Sequence, residues 1–274
     1  MGEVAAVIPG FEPDAAEILT LATSLMASGI PVLVVDDGSA DANYLDACKD
    51  RGASVIVHES NEGIARSLND GLAFARSLDA TWLLTVDQDT VLPSGYVNSL
   101  LAYADPRVGV IGAEIIGDAS GDLRYPVREV SGRLVTDEVF QTGSLWSVPT
   151  LTRLGGFDSS LGIDAVDAEA CLKVREAGMS VALARGVRLE HRYGSGAMLK
   201  LLGRSIVATH HSPARRESMV RNRLRLFPRE FRQSPVHALR TLRRVGVNVL
   251  LGVTVEDDRW AKALGSARGL MPRR

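Results

Sequence analysis

The sequence predicts an α/β fold in which a mostly parallel central sheet is flanked by helices and followed by a C-terminal helical extension. Short apolar runs alternate with segments of helical length through the first hundred residues, which is typical of parallel strands joined by crossover helices. From about residue 205 the chain becomes rich in arginine, and its apolar residues recur every three or four positions, which is typical of amphipathic helices.

The alternation sets the expected order of the elements. Four short runs of branched apolar residues are expected to be strands, at 5–8, 32–35, 54–58 and 82–86. The segments between them are expected to be helices, at 14–28, 43–51 and 63–78. Later elements are less regular: a helix at 94–103, short strands near 108–111 and 140–148, and a helix at 164–177 that ends at the left-handed cap Gly178.

Charge divides the chain into two expected domains, 1–204 and 205–274. Residues 1–203 carry 15 Lys and Arg against 28 Asp and Glu, whereas residues 204–274 carry 16 against 5. Such asymmetry indicates that the basic part meets an anionic partner. Within this extension, Pro228 is expected to interrupt the helix.

Two carboxylates mark the expected active edge of the sheet. Asp87 and Asp89 directly follow the fourth apolar run, and the carboxyl ends of parallel strands are where open α/β sheets bind ligands. Two hard oxygen donors one residue apart suit a divalent cation that holds a diphosphate, although a solvated turn would have the same residues. Asp36 ends the second strand, where it would contact a base or ribose, or instead form a turn beside Gly38.

Several nucleotide-binding classes are excluded. The chain has no Walker loop, and no G-x-G-x-x-G follows its first strand, so phosphate-loop enzymes and dinucleotide oxidoreductases do not fit. A sugar-nucleotide pyrophosphorylase would need a basic, glycine-rich loop after the first strand, where this chain has Gly10-Phe11-Glu12-Pro13-Asp14.

The motifs together resemble the metal-dependent inverting glycosyltransferases of family 2, which have the GT-A fold, and among them the bacterial rhamnosyltransferases. Eight short motifs fall in the family's order: Val7-Ile8-Pro9, Val34-Val35-Asp36-Asp37-Gly38-Ser39, Asn61-Glu62-Gly63 with Asn69 and Gly71, Asp87-Gln88-Asp89, Thr142-Gly143-Ser144, Gly155-Gly156-Phe157-Asp158, residues 163–169, and His191-Arg192-Tyr193-Gly194. His211-Ser212-Pro213 with Arg216 and Arg221-Asn222 is similar to a segment of the rhamnosyltransferase branch.

The resemblance implies roles on the nucleotide side of the site. Asp89 is the expected direct ligand of Mg²⁺ or Mn²⁺, and His191 is expected to complete the metal shell. Asp87 is expected either to contact the ribose or to contact the metal through a water molecule. A structural histidine is the alternative for His191. The expected nucleotide contacts are Pro9, Asp36, Asn61, Gly63, Arg66 and Asp87, with a surface helix position as the alternative for Arg66.

The resemblance also implies a catalytic base. An acceptor hydroxyl must lose its proton as it attacks the sugar from the face opposite the phosphate, and Asp167 matches the family's base. Asp164 and Glu169 are its local competitors, but the helical turn of about 100 degrees per residue places Asp167 and Glu169 on different faces. An ordinary first-turn carboxylate is the alternative for Asp167.

The expected sugar and acceptor pocket comprises Thr142, Gly143, Ser144, Trp146 and Asp164. Glycine at 143 would allow close backbone approach. Trp146 would stack on a pyranose, although a core position is the stronger alternative.

The sequence therefore predicts a glycosyltransferase that moves L-rhamnose from dTDP-rhamnose to a cell-envelope polysaccharide or a lipid-linked glycan. A transferase that uses a UDP-sugar and a catalytically silent nucleotide-sugar-binding scaffold are the alternatives. The basic extension is expected to bind an anionic membrane surface, and not nucleic acid, because it lacks interleaved aromatic residues. With two cysteines and no secretory leader pattern, we expect a cytoplasmic protein held peripherally on the inner face of the cell membrane, with an oligomer possible.

Overall fold

The computed structural model describes residues 3–116, 126–190, 197–201, 204–208, 211–254 and 256–271. Their contacts form two compact units, Met1–His191 and Arg192–Arg274. The boundary expected from the charge distribution, 204/205, lies thirteen residues later and falls inside the short hairpin at the start of the second unit.

The first unit is a mixed sheet with helices around it. Its strands are β1 Val4–Gly10, β2 Val32–Asp36, β3 Ser54–Val57, β4 Trp82–Thr85, β5 Val108–Ile116, β6 Val127–Val130, β7 Arg133–Thr136, β8 Ser144–Ser147 and β9 Ser180–Glu190. Its helices are α1 Ala15–Ala27, α2 Tyr44–Asp50, α3 Ile64–Ser77, α4 Tyr96–Leu101, α5 Val148–Arg153 and α6 Val166–Glu176. A 3₁₀ turn, Ser159–Leu161, precedes α6.

The strand order is β3-β2-β1-β4-β8-β5-β9-β7-β6. The strands β3, β2, β1 and β4 are parallel, as the alternation predicts. Beyond them the sheet is mixed, because β8 lies antiparallel between β4 and β5, and β7 pairs antiparallel with β9. The parallel half therefore has one common carboxyl edge, and β8 brings the segment before it to the end of β4.

The core lies between this sheet and its helices. Successive residues of the central strands are buried, among them Ile8, Leu33, Leu84 and Leu145, so both faces of this part of the sheet are covered. Local signals set the helix ends: Asp14 caps α1 by accepting a 2.8 Å bond from the amide of Ala16.

The second unit is an antiparallel hairpin, β10 Ala197–Leu201 and β11 Arg204–Ala208, followed by α7 Pro213–Gln233, α8 Pro235–Thr254 and α9 Arg259–Gly269. The predicted interruption at Pro228 is wrong, because α7 continues through it to Gln233. Proline removes one helical hydrogen bond, and packing of α7 against α8 and α9 outweighs that loss.

A buried ion cluster joins the three helices of the second unit. Glu256 accepts bonds from Arg216 at 2.5 Å and from Lys262 at 3.0 Å, and the guanidinium of Arg216 also donates to the carbonyl of Asn248. All three charged side chains are less than 7% exposed. Arg216, which belongs to the segment that is similar to the rhamnosyltransferase branch, therefore has a structural role within this unit. None of the helices in the described ranges is long and apolar enough to cross a membrane.

Candidate active site

The carboxyl ends of β1, β2, β3 and β4 meet at one edge, and hydrogen bonds tie the loops that leave it. Gln88 exchanges two bonds with the backbone of Phe11: the Phe11 amide donates to Oε1 at 2.8 Å, and Nε2 donates to the Phe11 carbonyl at 3.3 Å. The amide of Glu12 donates to the hydroxyl of Ser39 at 2.9 Å. The loop after β1 is therefore fixed against the loops after β4 and β2.

Asp36 is a turn-forming residue in this structure. Its carboxylate accepts bonds from the amides of Gly38 and Ser39 at 3.1 and 2.9 Å, and from the hydroxyl of Tyr44 at 2.8 Å. The residue has no exposed surface. These bonds agree with the turn-forming alternative for Asp36, and its contact with the nucleotide stays a prediction.

Asp37 organises the loop after β3. It accepts bonds from the amides of Glu62 and Gly63 at 2.9 and 2.8 Å, and its Oδ1 lies 2.7 Å from Nδ1 of His58. The other ring nitrogen of His58 lies 2.8 Å from Asp70. Burial lowers the pKa of His58, but the hydrogen bonds to the two carboxylates raise it by more than burial lowers it. The net pKa is therefore above its usual value.

The other predicted nucleotide contacts lie along the same edge. Gly63 is held in a left-handed conformation with φ +90° beside Gly162, where a side chain would press on the neighbouring backbone. Asn61 is exposed, and Pro9 is partly exposed on β1. Arg66 is exposed on α3, and its guanidinium lies 3.8 Å from Glu62 and 3.6 Å from Asp70, so both its nucleotide contact and the surface-helix alternative stay open.

Asp87 and Asp89 lie at the end of β4 with different environments. Asp89 is exposed, whereas Asp87 is only partly so. Burial, together with the charges of Asp89 and Asp167, raises the pKa of Asp87 to about 7, against the lowering effect of hydrogen bonds from Gln141 and Thr142. A carboxylate in this environment is disfavoured as an anion unless a cation is near.

The segment before β8 forms the next wall of the site. The side-chain amide of Gln141 donates to Asp87, and the hydroxyl of Thr142 accepts from the Asp87 amide at 3.0 Å. Gly143 has φ +72°, and the hydroxyl of Tyr96 donates to its carbonyl at 2.6 Å. Ser144 is buried and donates to the carbonyl of Phe140. Sequence reasoning missed Gln141, whose only signal is its position directly before the Thr142-Gly143-Ser144 motif.

Trp146 does not face this site. Its side chain is fully buried on β8, its indole N–H donates to the hydroxyl of Thr85 at 3.0 Å, and its ring packs edge-on against Phe157 with centroids 5.2 Å apart. The stacking role predicted for Trp146 is wrong, because both ring faces are inside the core, as its alternative states.

Asp167 enters the site from the first turn of α6. The preceding residue but one, Ala165, has a left-handed φ of +66°, a conformation that costs energy for a residue with a side chain and that sets the start of the helix. The carboxylate of Asp167 accepts from the amide of Ala168 at 2.8 Å. Its charge contributes to the raised pKa of Asp87, so the two carboxyl groups are within electrostatic range of each other.

The competitors of Asp167 have other environments. Glu169 is 2% exposed and pairs with Lys173 at 3.0 Å, and Lys173 also donates to the carbonyl of Gly156. Glu169 is therefore directed into the protein, which agrees with the predicted opposition of the two carboxylates. Asp164 is partly exposed in the turn before α6.

The residues of this edge fit a divalent cation. Asp87 and Asp89 offer oxygen ligands, which Mg²⁺ and Mn²⁺ accept, and a bound cation would relieve the repulsion that raises the pKa of Asp87. The predicted ligand His191 lies outside the described residues, as do Arg192, Tyr193 and Gly194.

Comparison with protein families identifies the chain. The model of glycosyl transferase family 2 matches residues 7–154, which run from β1 to the end of α5 and include the parallel edge with Asp87 and Asp89. The chain belongs to glycosyl transferase family 2. The protein is therefore a glycosyltransferase, and Asp167 lies beyond the matched residues.

Two curated proteins are similar to this glycosyltransferase. The dTDP-rhamnosyl transferase RfbF of Shigella flexneri is 26% identical over 259 residues, which cover 88% of this chain and 83% of RfbF. The hyaluronan synthase of Streptococcus pyogenes is 34% identical over 117 residues, which cover 39% of this chain and 28% of the synthase.

Solved structures share the fold of the glycosyltransferase. The mannosyltransferase PcManGT from Pyrobaculum calidifontis, in complex with GDP-Man and Mn²⁺, has a TM-score of 0.56 at 17% identity and matches 97% of this chain and 73% of its own. S. aureus TarS 1-349 has a TM-score of 0.59 at 13% identity and matches 97% of this chain and 79% of its own. These likenesses show the GT-A fold.

Proposed function

We propose that this glycosyltransferase moves L-rhamnose from dTDP-rhamnose, with inversion at the anomeric carbon, to a cell-envelope polysaccharide or a lipid-linked glycan. One observation carries the proposal: Asp167 lies within electrostatic range of Asp87 at the carboxyl edge of the parallel strands, although 80 positions separate them in the sequence. An inverting transfer needs a base on the face of the sugar opposite the phosphate, and the nearness of Asp167 to the β4 carboxylates supports this role for it.

The leaving group defines the role of the β4 carboxylates. A divalent cation supplies charge neutralisation for the two phosphates of the departing nucleoside diphosphate. Asp89 would hold this ion directly because its side chain is exposed, while Asp87 would orient it from its partly buried position beside Gln141 and Thr142. His191 remains a proposed third ligand.

The acceptor defines the role of Asp167. Its carboxylate takes the proton of the acceptor hydroxyl as that oxygen forms a bond to the anomeric carbon, and the bond between that carbon and the phosphate oxygen breaks. The backbone turn at Ala165 fixes the direction in which Asp167 enters the site. Thr142 and Gly143 lie beside Asp87 and would contact the sugar between the two carboxylates.

The rhamnosyl donor is supported by the similarity to RfbF, named a dTDP-rhamnosyl transferase, over 88% of the chain. A UDP-sugar donor is the alternative. A silent scaffold is less well supported, because it would have no need of a partly buried carboxylate held near two others. We also propose that the protein is cytoplasmic and associates peripherally with the inner face of the cell membrane, since its extension is basic.

A donor panel tests the function. Thermal unfolding is measured with dTDP-rhamnose, UDP-glucose, UDP-N-acetylglucosamine and GDP-mannose, each with and without Mn²⁺, and slow donor hydrolysis is then followed by release of the nucleotide. We expect dTDP-rhamnose with Mn²⁺ to stabilise the protein most and to be hydrolysed. If only a UDP-sugar stabilises the protein, the donor is a UDP-sugar and not dTDP-rhamnose. If no donor is hydrolysed, the result favours the catalytically silent scaffold.

A further inference from the structure

The second unit has an unusual density of exposed apolar side chains. One lies on α7 (Phe231), five lie on α8 (Val236, Leu239, Leu242, Val247 and Leu250), two lie on α9 (Trp260 and Leu264), and two directly follow α9 (Leu270 and Met271). Trp260 is 86% exposed. A short stretch of sequence with this many exposed large apolar side chains is unusual for a soluble surface, which indicates an interaction surface.

On α8 four of the five exposed large apolar side chains share one face, and Leu242 lies outside it. At 100 degrees per residue, Val236, Leu239, Val247 and Leu250 fall within an arc of roughly 80 degrees, and Arg240 and Arg243 lie on or next to the same arc. The opposite face is buried, with Ala238, Thr241 and Gly252 directed into the unit. The exposed face of α8 is thus apolar and basic at once.

On α9 the pattern is shorter and more apolar. Trp260 and Leu264 are one helical turn apart, and both are exposed, while Lys262, Gly265 and Ser266 are buried on the other side. Gly265 and Gly269 allow α9 to approach α7 closely, because a side chain at Gly265 would lie 2.3 Å from the carbonyl of Pro213. The packing therefore fixes which face of α9 is directed outward.

The exposed charge of this unit is strongly positive. Glu217, Glu230 and Glu256 are buried or partly buried and pair with Arg221, Arg223 and Arg216. Within residues 211–254 and 256–271, the exposed acidic side chains are only Asp257 and Asp258. The exposed basic ones are Arg215, Arg225, Arg232, Arg240, Arg243, Arg244, Arg259 and Arg268.

We propose that the exposed faces of α8 and α9, with Val236, Leu239, Val247, Leu250, Trp260 and Leu264 as apolar contacts and Arg240 and Arg243 as charge contacts, dock onto an anionic lipid bilayer. Charge selects this occupant. A second copy of the chain would bring like-charged arginines together in a symmetric interface, whereas anionic headgroups attract them while the apolar groups enter the interfacial layer. Tryptophan is favoured at that depth.

This inference deepens the proposed function, on which it rests for its purpose: docking would hold the glycosyltransferase beside a lipid-linked acceptor. The docking itself is a property of the second unit. Because no acceptor is needed to observe it, its failure can be separated from failure of the transfer reaction.

The native fluorescence of the full-length protein tests the docking. Of the three tryptophans, Trp82 and Trp146 are 4% and 0% exposed, so a change in emission on vesicle addition reports Trp260. We expect a blue shift and cosedimentation with phosphatidylcholine vesicles containing about a third phosphatidylglycerol, and little of either with phosphatidylcholine alone. Equal binding to both vesicles, or to neither, would overturn the proposal.

Paired variants give the second arm. Trp260→Ser with Leu264→Ser, and Arg240→Glu with Arg243→Glu, should each weaken cosedimentation by about tenfold or more. Val130→Ser and Arg107→Glu, which change exposed residues of the first unit, are the matched controls and should bind as the native protein does. Native binding by both paired variants would overturn the proposal.

Two further measurements accompany each variant. Light scattering gives the oligomeric state: a native dimer that Trp260→Ser with Leu264→Ser converts to a monomer, with vesicle binding unchanged, would assign the surface to a second copy. Hydrolysis of dTDP-rhamnose without vesicles should be the same in all four variants. If the native protein binds vesicles but does not hydrolyse dTDP-rhamnose, the proposed transfer reaction is rejected and the docking proposal stands.

Discussion

Asp87 and Asp167 are 80 positions apart in the sequence, one after β4 and one on the first turn of α6, yet the charge of Asp167 contributes to the raised pKa of Asp87. Gln141 and Thr142 hold Asp87 in place. Two acidic groups are thus brought to one edge by the fold alone. The roles proposed for the carboxylates at this edge, metal binding by Asp89 and proton transfer by Asp167, are the basis of the first two predictions.

Asp89→Ala should abolish the metal-dependent part of donor binding. Asp89 is exposed after β4 and is the proposed direct ligand, so its loss would leave Asp87 without a partner for the ion. Isothermal titration of dTDP with and without Mn²⁺ measures the effect. Asp50→Ala, an exposed carboxylate at the far end of α2, is the control. Undiminished Mn²⁺ dependence in Asp89→Ala would remove it from the metal site.

Asp167→Asn should keep donor binding and lose sugar transfer by a factor of about 10² to 10⁴, because an amide cannot accept the acceptor's proton. The change is nearly isosteric, so the start of α6 should be retained. Donor affinity by titration and turnover with acceptor, or donor hydrolysis, separate the two effects. Glu176→Gln, at the other end of α6, is the matched control. Native turnover in Asp167→Asn would assign the base to another residue.

Local signals in the sequence predict the parallel half of the fold. The four strand runs and the three helices between them agree with β1 to β4 within a few residues, because turn residues and apolar periodicity are local properties. The antiparallel insertion of β8 between β4 and β5 could not be predicted in this way, since nothing in a strand's own composition states its neighbours.

The candidate site follows the same division. Position at a strand end predicted Asp87 and Asp89, and resemblance supplied Asp167. Side-chain direction was harder to predict: the carboxylate of Asp36 accepts a bond from Tyr44, and Trp146 is directed inward to Thr85 and Phe157. Both are decided by tertiary partners that are distant in the sequence or unspecified by the motif. Gln141 escaped notice for the same reason, because its partner Asp87 is 54 positions away.

Asn69→Ala should destabilise the first unit by about 1 to 3 kcal/mol. The side chain of Asn69 exchanges two bonds with the backbone of Phe157: Nδ2 donates to its carbonyl at 2.8 Å, and Oδ1 accepts from its amide at 2.9 Å. These bonds connect α3 to the segment before α6. Urea unfolding measures the change, with the exposed Asn98→Ala on α4 as control. Equal unfolding midpoints for the two variants would show that the connection contributes little.

His58→Gln should remove a pH-dependent part of the stability. The bonds to Asp37 and Asp70 outweigh burial and raise the pKa of His58 in the folded protein. The guanidinium of Arg66, 3.6 Å from Asp70, is the nearby positive charge. A raised folded pKa means that the stabilisation is fully present below the unfolded pKa of about 6.5 and is lost as the pH rises through the folded value. The difference in free energy of unfolding between native and His58→Gln protein should therefore be largest in mild acid and shrink as the pH rises. Urea titrations from about pH 5.5 to pH 9 measure it. A difference that is constant with pH, or that grows as the pH rises, would show that folding does not raise the pKa of His58.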